Sequence, residues 1–297
     1  MISKVSEPGP VNEYEALTPL FECRALTEPG GFTDGIEGPA VDRDGNLYVV
    51  NYQHQGTIGR VSPEGVCDCF VELPAGSVGN GIRIDRRNRM FVADYAAHHV
   101  YCVDLETRQL SIHAFNPAMY QPNDLSITRD GTLFASDPDW STSTGQVWRI
   151  DTDGSTHLLE AHMGTTNGIE VSPCEKRLYV NESVQRRIWA YDLTRTGELL
   201  NKRLLIEFSD HGLDGMRCDI DGNLYVTRYG CGLIAKVSPE GQVVTEIEVG
   251  GRQPTNLAFG GTDGRTCYVC VADLGNIHRF RVDVPGRAWP MLHEDDV

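Results

Sequence analysis

Leu213-Asp214-Gly215-Met216-Arg217-Cys218-Asp219-Ile220-Asp221-Gly222-Asn223-Leu224-Tyr225-Val226 sets out the pattern on which the chain is built. An acidic or amide residue, often followed by glycine, leads a short alternating run. A polar turn follows, then a run of the type Leu-Tyr-Val. Alternation of period two marks half-buried strands, and the Asp/Gly/Asn cluster between them supplies turn chemistry. The same order recurs in Glu37-Gly38-Pro39 ahead of Leu47-Tyr48-Val49 and in Asn80-Gly81-Ile82 ahead of Met90-Phe91-Val92. It returns in Asn123-Asp124-Leu125 ahead of Leu133-Phe134-Ala135 and in Asn167-Gly168-Ile169 ahead of Leu178-Tyr179-Val180. Asn256-Leu257-Ala258 ahead of Cys267-Tyr268-Val269 is the most eroded copy. The lead residues stand at 37, 80, 123, 167, 214 and 256, in steps of 43, 43, 44, 47 and 42. A period of about 40–45 residues carrying several short strands is the sign of a propeller blade. Six copies predict an all-β, six-bladed β-propeller with four-stranded blades, a single domain over residues 1–297.

Each unit divides into four strands with Gly, Pro, Asn and Asp between them. In the first, strands read at 38–42, 46–52, 57–62 and 66–73, separated by Asp44-Gly45, Pro63-Glu64-Gly65 and Pro74-Ala75-Gly76. The sixth unit supplies only three, at 257–259, 266–273 and 277–282. Residues 19–26 precede the first inner strand and lack a partner in their own unit. An N-terminal strand at 20–24 is therefore expected beside 277–282, completing the last blade and leaving no exposed sheet edge. The acidic tail His293-Glu294-Asp295-Asp296 is expected to be mobile.

Hydrophobic residues make up 40% and charged residues 23%, which fits a globular chain and not a disordered one. No apolar run approaches the ~18 residues of a membrane span. The first twenty residues carry three acidic side chains and no apolar core, so export is not expected. A formal charge of -16 argues against nucleic acid or an anionic membrane as a partner, because phosphate contacts need Lys and Arg. Nine cysteines, an odd number, predict free thiols in a reducing cytoplasm, each a buried hydrophobe. Cys67-Asp68-Cys69 would put two sulfurs on one strand face, and Cys267 and Cys270 would face opposite ways. The sequence leaves the oligomeric state open.

In a blade the first two strands are antiparallel, so the start of the first and the end of the second share one end. The six lead residues should crowd one mouth of the central channel. The loops at 52–56, 95–99, 137–145, 182–185, 229–232 and 273–276 would join them there. The longest, 137–145, is a natural place for substrate recognition. The lead side chains Glu37, Asn80, Asn123, Asn167, Asp214 and Asn256 are all oxygen donors. Two carboxylates with amide oxygens suit one hard divalent cation, calcium first, with magnesium, manganese or zinc as options. Without it the two carboxylates would repel, and one would hold a proton. A purely structural alternative is that these side chains cap backbone N–H groups in turns. That fits Asn80 and Asn256 well and the carboxylates poorly, since amides cap equally well at no electrostatic cost.

The set Glu37-Gly38-Pro39, Pro122-Asn123-Asp124, Thr166-Asn167-Gly168 and Leu213-Asp214-Gly215 resembles the SMP-30/gluconolactonase/LRE-like family over about residues 30–285. Pro122-Asn123-Asp124 followed by Phe134-Ala135-Ser136-Asp137-Pro138 is nearer its bacterial gluconolactonase branch. The resemblance implies a six-bladed propeller with one divalent cation held by Glu37, Asn123, Asn167 and Asp214. It also implies Asp214 as general base or nucleophile. Gln121 stands where the animal branch has an arginine, so that sugar contact does not carry over.

The expected reaction is hydrolysis of a sugar-acid lactone, a small-molecule substrate. The ion would polarise the ring carbonyl, and Asp214 would take a proton from water or attack directly. Asn80, Tyr95, Trp140, Glu182 and Tyr229 are candidates for binding the substrate, with Tyr52 as a further rim aromatic; Arg228 and Glu182 could bind hydroxyls or pair with each other. His162 and His211 could deliver a proton, while His98-His99 shows no carboxylate partner in the sequence. No serine sits in a Gly-x-Ser-x-Gly setting. Two alternatives stand beside lactone hydrolysis: a calcium-dependent phosphotriesterase, and a non-catalytic propeller acting as a binding platform.

Overall fold

Six antiparallel four-stranded sheets account for nearly all of residues 13–293, the part of the chain that the computed structural model describes. In each blade the chain runs outward from the axis. The innermost strands are Phe32–Val41, Gly79–Ile84, Leu125–Ile127, Thr166–Val171, Gly212–Cys218 and Pro254–Gly260. Burial falls from the axis outward. Every residue of Thr166–Val171 is buried, whereas the outer strand Val243–Glu248 is mostly exposed. The hydrophobic clusters lie between adjacent blades, each mixing residues of neighbouring sheets. This is why a blade cannot stand alone: its apolar faces are covered only by the next blade.

The turn after three of the inner strands has a repeated cause. Asp42 Oδ1 accepts from the backbone N–H groups of Asp44 and Asn46, and Asp85 does the same for Arg87 and Arg89. Asp219 repeats it for Asp221 and Asn223. An aspartate that caps its own turn leaves one left-handed residue to be filled, here Gly222 (φ 88°) or Asn88 (φ 60°).

Ring closure occurs at the expected partner with a shifted register. Arg24 and Ala25 form a two-residue strand antiparallel to Asn276–Arg281, opposite Arg279 and His278. Leu26 N–H donates to the Ile277 carbonyl, and Leu20 makes a separate parallel bridge to Arg281. The first and last inner strands start earlier than the sequence reading placed them, at Phe32 and Pro254, and the second and third strands of blade three run into the 137–145 loop, to Asp139 and from Thr144. The long 137–145 loop therefore shrinks to residues 140–143.

The opposite end of the channel is plugged by a short C-terminal helix, Ala288–His293, whose Met291 and Leu292 are buried among Ala40, Ile82 and Ile127. His293, expected in a mobile tail, stacks on Trp289 with ring centroids 3.6 Å apart. The acidic residues 294–296 lie outside the described residues, as do residues 1–12 of the stretch read for export. All nine cysteines are free. Their expected burial needs correcting: Cys218, Cys267 and Cys270 are buried, four are partly covered, and Cys69, on an outer strand, and Cys174, in the turn after the inner strand of blade four, are exposed. Among the described residues no helix is long and apolar enough to cross a membrane. Deleting residues 1–26 should strip the last blade of its outer strand, lowering the Tm by about 5 °C or more. Light scattering should then rise with protein concentration as the bared edge pairs between molecules.

Candidate functional site

The lead residues enter the channel through local irregularities of the inner strands. Regular pairing breaks between Gly79 and Ile82, Thr166 and Ile169, Leu213 and Met216, and Pro254 and Leu257. The leads at 80, 167, 214 and 256 sit in those gaps, as bulges commonly re-aim a side chain. Glycine follows because the next blade presses close. A Cβ on Gly38 (φ 59°) would collide with the Asn80 carbonyl oxygen, and one on Gly215 would fall inside the Asn256 carboxamide. Second-strand side chains tie the same layer together. Asn181 Nδ2 donates to the Asp214 carbonyl at 2.6 Å, and Thr227 Oγ1 to the Thr255 carbonyl at 2.9 Å. Thr255 Oγ1 joins the last blade to the first at the Ile36 carbonyl, 2.7 Å away.

A cavity of about 750 Å³ opens at this mouth, within the range of small-molecule sites. Glu37, Asn80, Asn123, Asn167 and Asp214 all line it. Glu37 Oε2 accepts from Asn256 Nδ2 at 2.8 Å and from the Gly38 N–H, while its Oε1 has no partner. Asn167 is held by its nitrogen, which donates to Ser183 Oγ at 3.0 Å, and its Oδ1 is left without a partner. Asn123 Oδ1 is likewise buried and unpartnered. Burial and the Asp214 site's neighbour Glu37 push the Asp214 carboxyl well above the usual carboxylate range. Burial, with the Asp124 carboxylate adding to it, pushes Glu37 up to about 7. A buried oxygen without a donor is costly, and these three sit in one cavity beside a second carboxylate. A hard cation with oxygen ligands fits that set. Among the described residues no three His, Cys, Asp or Glu side chains are grouped to hold a metal. The donors here are two carboxylates and two carboxamides.

Tyr95, Trp140 and Tyr229 also line the cavity. Trp140 and Tyr229 are 43% and 39% exposed, so their rings are free to meet a ligand. Glu182 needs correcting as a substrate residue. It is buried outside the cavity lining, and its Oε1 accepts from the Gly164 N–H at 2.7 Å. Tyr52 is also outside the lining, packed on Phe32 edge-to-face at 5.2 Å. Arg228 pairs with Asp210 and stacks over Phe208, not with Glu182. His162 and His211 are exposed and outside the lining. His99 does have a carboxylate neighbour, Asp94, at 4.0 Å. Asn256 is engaged on both sides, by Glu37 and by the Leu257 N–H, which makes it a support rather than a ligand.

Beneath the donor set lies a buried ionic layer that the sequence reading missed. Asp124 pairs with Arg217 at 2.8 Å and with Arg83 at 3.4 Å, and Arg83 reaches Glu170 at 3.3 Å. Arg287, just before the plugging helix, pairs with Glu175 at 2.9 Å and stands 3.7 Å from Glu170. Arg83, Glu170 and Arg217 each fall three residues after a lead, so reading the repeat three positions on would have found them.

The geometry defines a six-bladed propeller with an oxygen-rich site at one channel mouth. Residues 32–273 match the SMP-30/Gluconolactonase/LRE-like region, and the chain belongs to that family. It is 27% identical to a gluconolactonase of Zymomonas mobilis, over 84% of this chain and 79% of the relative. It is 29% identical to a pentonolactonase of Haloferax volcanii, covering 80% and 81%, respectively. It is also 26% identical to the diisopropyl-fluorophosphatase of Loligo vulgaris, covering 83% and 87%.

Arg217→Met would leave Asp124 a buried carboxylate short of its best partner. Removing one member of such a pair costs about 3–5 kcal/mol, and denaturant unfolding should show a loss of that size.

Proposed function

We propose that this protein hydrolyses the lactone of a sugar acid, aided by a divalent cation held by Glu37, Asn123, Asn167 and Asp214. The observation carrying this reading is the trio of unpartnered buried oxygens, Glu37 Oε1, Asn123 Oδ1 and Asn167 Oδ1, around one cavity with Asp214. The lactonase names of two relatives support the substrate class. An all-oxygen donor set favours calcium over zinc, with magnesium or manganese as the nearer substitutes. When bound, the cation supplies Lewis acidity toward the lactone carbonyl.

The protein's own groups do the rest. An Asp214 carboxylate oxygen takes a proton from the attacking water as the water oxygen bonds to the carbonyl carbon. The ring C–O bond then breaks, and the leaving oxygen collects that proton, giving the open hydroxy acid. Trp140, Tyr95 and Tyr229 offer flat or hydroxyl-bearing walls to the sugar ring. Asn80 anchors its nitrogen on the Asn123 carbonyl at 3.3 Å and turns the rest of its amide to the cavity. The relative named for a fluorophosphate favours a second reading, in which a phosphoryl oxygen takes the place of the carbonyl.

Acid release from aldonolactones, compared with hydrolysis of an organophosphate triester, separates the two. Asp214→Ala should lower lactone kcat/KM by at least about 100-fold. Unchanged hydrolysis in that variant would overturn the role of Asp214, whereas no hydrolysis of either substrate by the unaltered protein would leave the binding-platform reading standing.

Metal binding has an independent readout in stability. Glu37 is pushed up to about 7, while an unfolded glutamate titrates near 4.3. Between those values the native state holds a proton that the unfolded chain has released, so stability without metal falls as pH rises through this window. A cation takes the charged form. The Tm gained on adding calcium should therefore grow as pH rises from 5 through 7. Glu37→Gln should flatten that dependence.

A further inference from the structure

Among the described residues no Lys, Arg or His lines the mouth cavity, whereas three carboxylates do: Asp34, Glu37 and Asp214. Three buried arginines are engaged elsewhere. Arg83 and Arg217 are buried below and paired with Asp124 and Glu170, and Arg228 is buried against Phe208 and Asp210. A divalent ion on Glu37 and Asp214 would cancel those two charges and leave Asp34, which is exposed, as the net charge of the opening. The rim mixes polar and flat side chains: Asp34, Gln55 and Tyr95 come from blades one and two, and Gln121, Trp140 and Tyr229 from blades three to five.

Resting on the lactonase reading above, we propose that this mouth selects uncharged lactones and rejects those bearing a phosphate, a sulfonate or a second carboxylate. Asp34 is its specificity-determining residue. A hydroxylated ring can set its polar edges against Gln55, Asn80 and Gln121 and its flat face on Trp140, losing no charge to desolvation. An anionic substituent finds carboxamides there but no countercharge, so its lost hydration is not restored. It also meets a like charge at Asp34, and such repulsion discriminates by penalising the wrong ligand.

The test measures kcat/KM on the calcium-loaded, full-length protein for gluconolactone, its terminal phosphate ester and glucarolactone, which carries a free carboxylate. The neutral lactone should be favoured by at least about 100-fold over either anion, and the gap should narrow as salt is raised. Asp34→Lys should raise the anion-to-neutral ratio by about tenfold or more. Asp153→Lys makes the same change of net charge in a turn at the far end of blade three, and should leave the ratio unmoved. Neutral and anionic lactones used within about threefold of each other would overturn the proposal while leaving the lactonase reading intact. A ratio that moves as much for Asp153→Lys as for Asp34→Lys would overturn the role of Asp34. Hydrolysis of none of the three would remove the lactonase reading, and this inference with it.

Discussion

The close approach of each inner strand to the next is the constraint on which the structure depends. At Gly38, Gly168 and Gly215 there is no room for a Cβ, because the following blade's lead residue or its backbone occupies that space. The same contact that seals one blade against another therefore fixes the spacing of the lead oxygens around the channel. Packing and site geometry are one feature here, and a side chain at these glycines would disturb both.

What lies under that ring explains how two carboxylates can be held together. Arg217 and Arg83 surround Asp124, and Arg83 continues to Glu170. Continuum reasoning makes such buried pairs poor sources of stability by themselves. Their value is positional: a guanidinium fixed by a carboxylate and a backbone carbonyl has few alternatives. Arg217 donates both to Asp124 and to the Met216 carbonyl, and Arg83 both to Asp124 and to the Ile82 carbonyl. Arg287 and the buried Met291 and Leu292 close this layer from below.

The site itself is polarised by what it omits. Its supports are neutral carboxamides and hydroxyls, Asn256, Ser183 and Thr255, and its arginines are held one layer down. Unpartnered oxygens at the surface of a cavity make a poor resting state for a protein and a good one for a cation. The same oxygens, with Trp140 and Tyr229 at the rim, give a small polyhydroxylated ligand both polar and flat surfaces.

The sequence by itself determined the blade count, the strand order and the convergence of Glu37, Asn80, Asn123, Asn167 and Asp214. Each of these follows from a period near 43 residues and from the alternation of a pleated strand. It also located the turns, since an aspartate that caps its own backbone is a local device. Only the tertiary structure decided that Glu182 serves the Gly164 N–H outside the cavity, that Tyr52 packs on Phe32, and that the 137–145 loop is mostly strand. It alone joined Arg83 to Asp124 and Glu170, 41 and 87 residues away. The physical reason is that a repeat fixes where each backbone segment goes, whereas a side chain's partner depends on which blade stands beside it. The buried charges of the inner strands, Arg83, Asp124, Glu170 and Arg217, are satisfied by those of other blades.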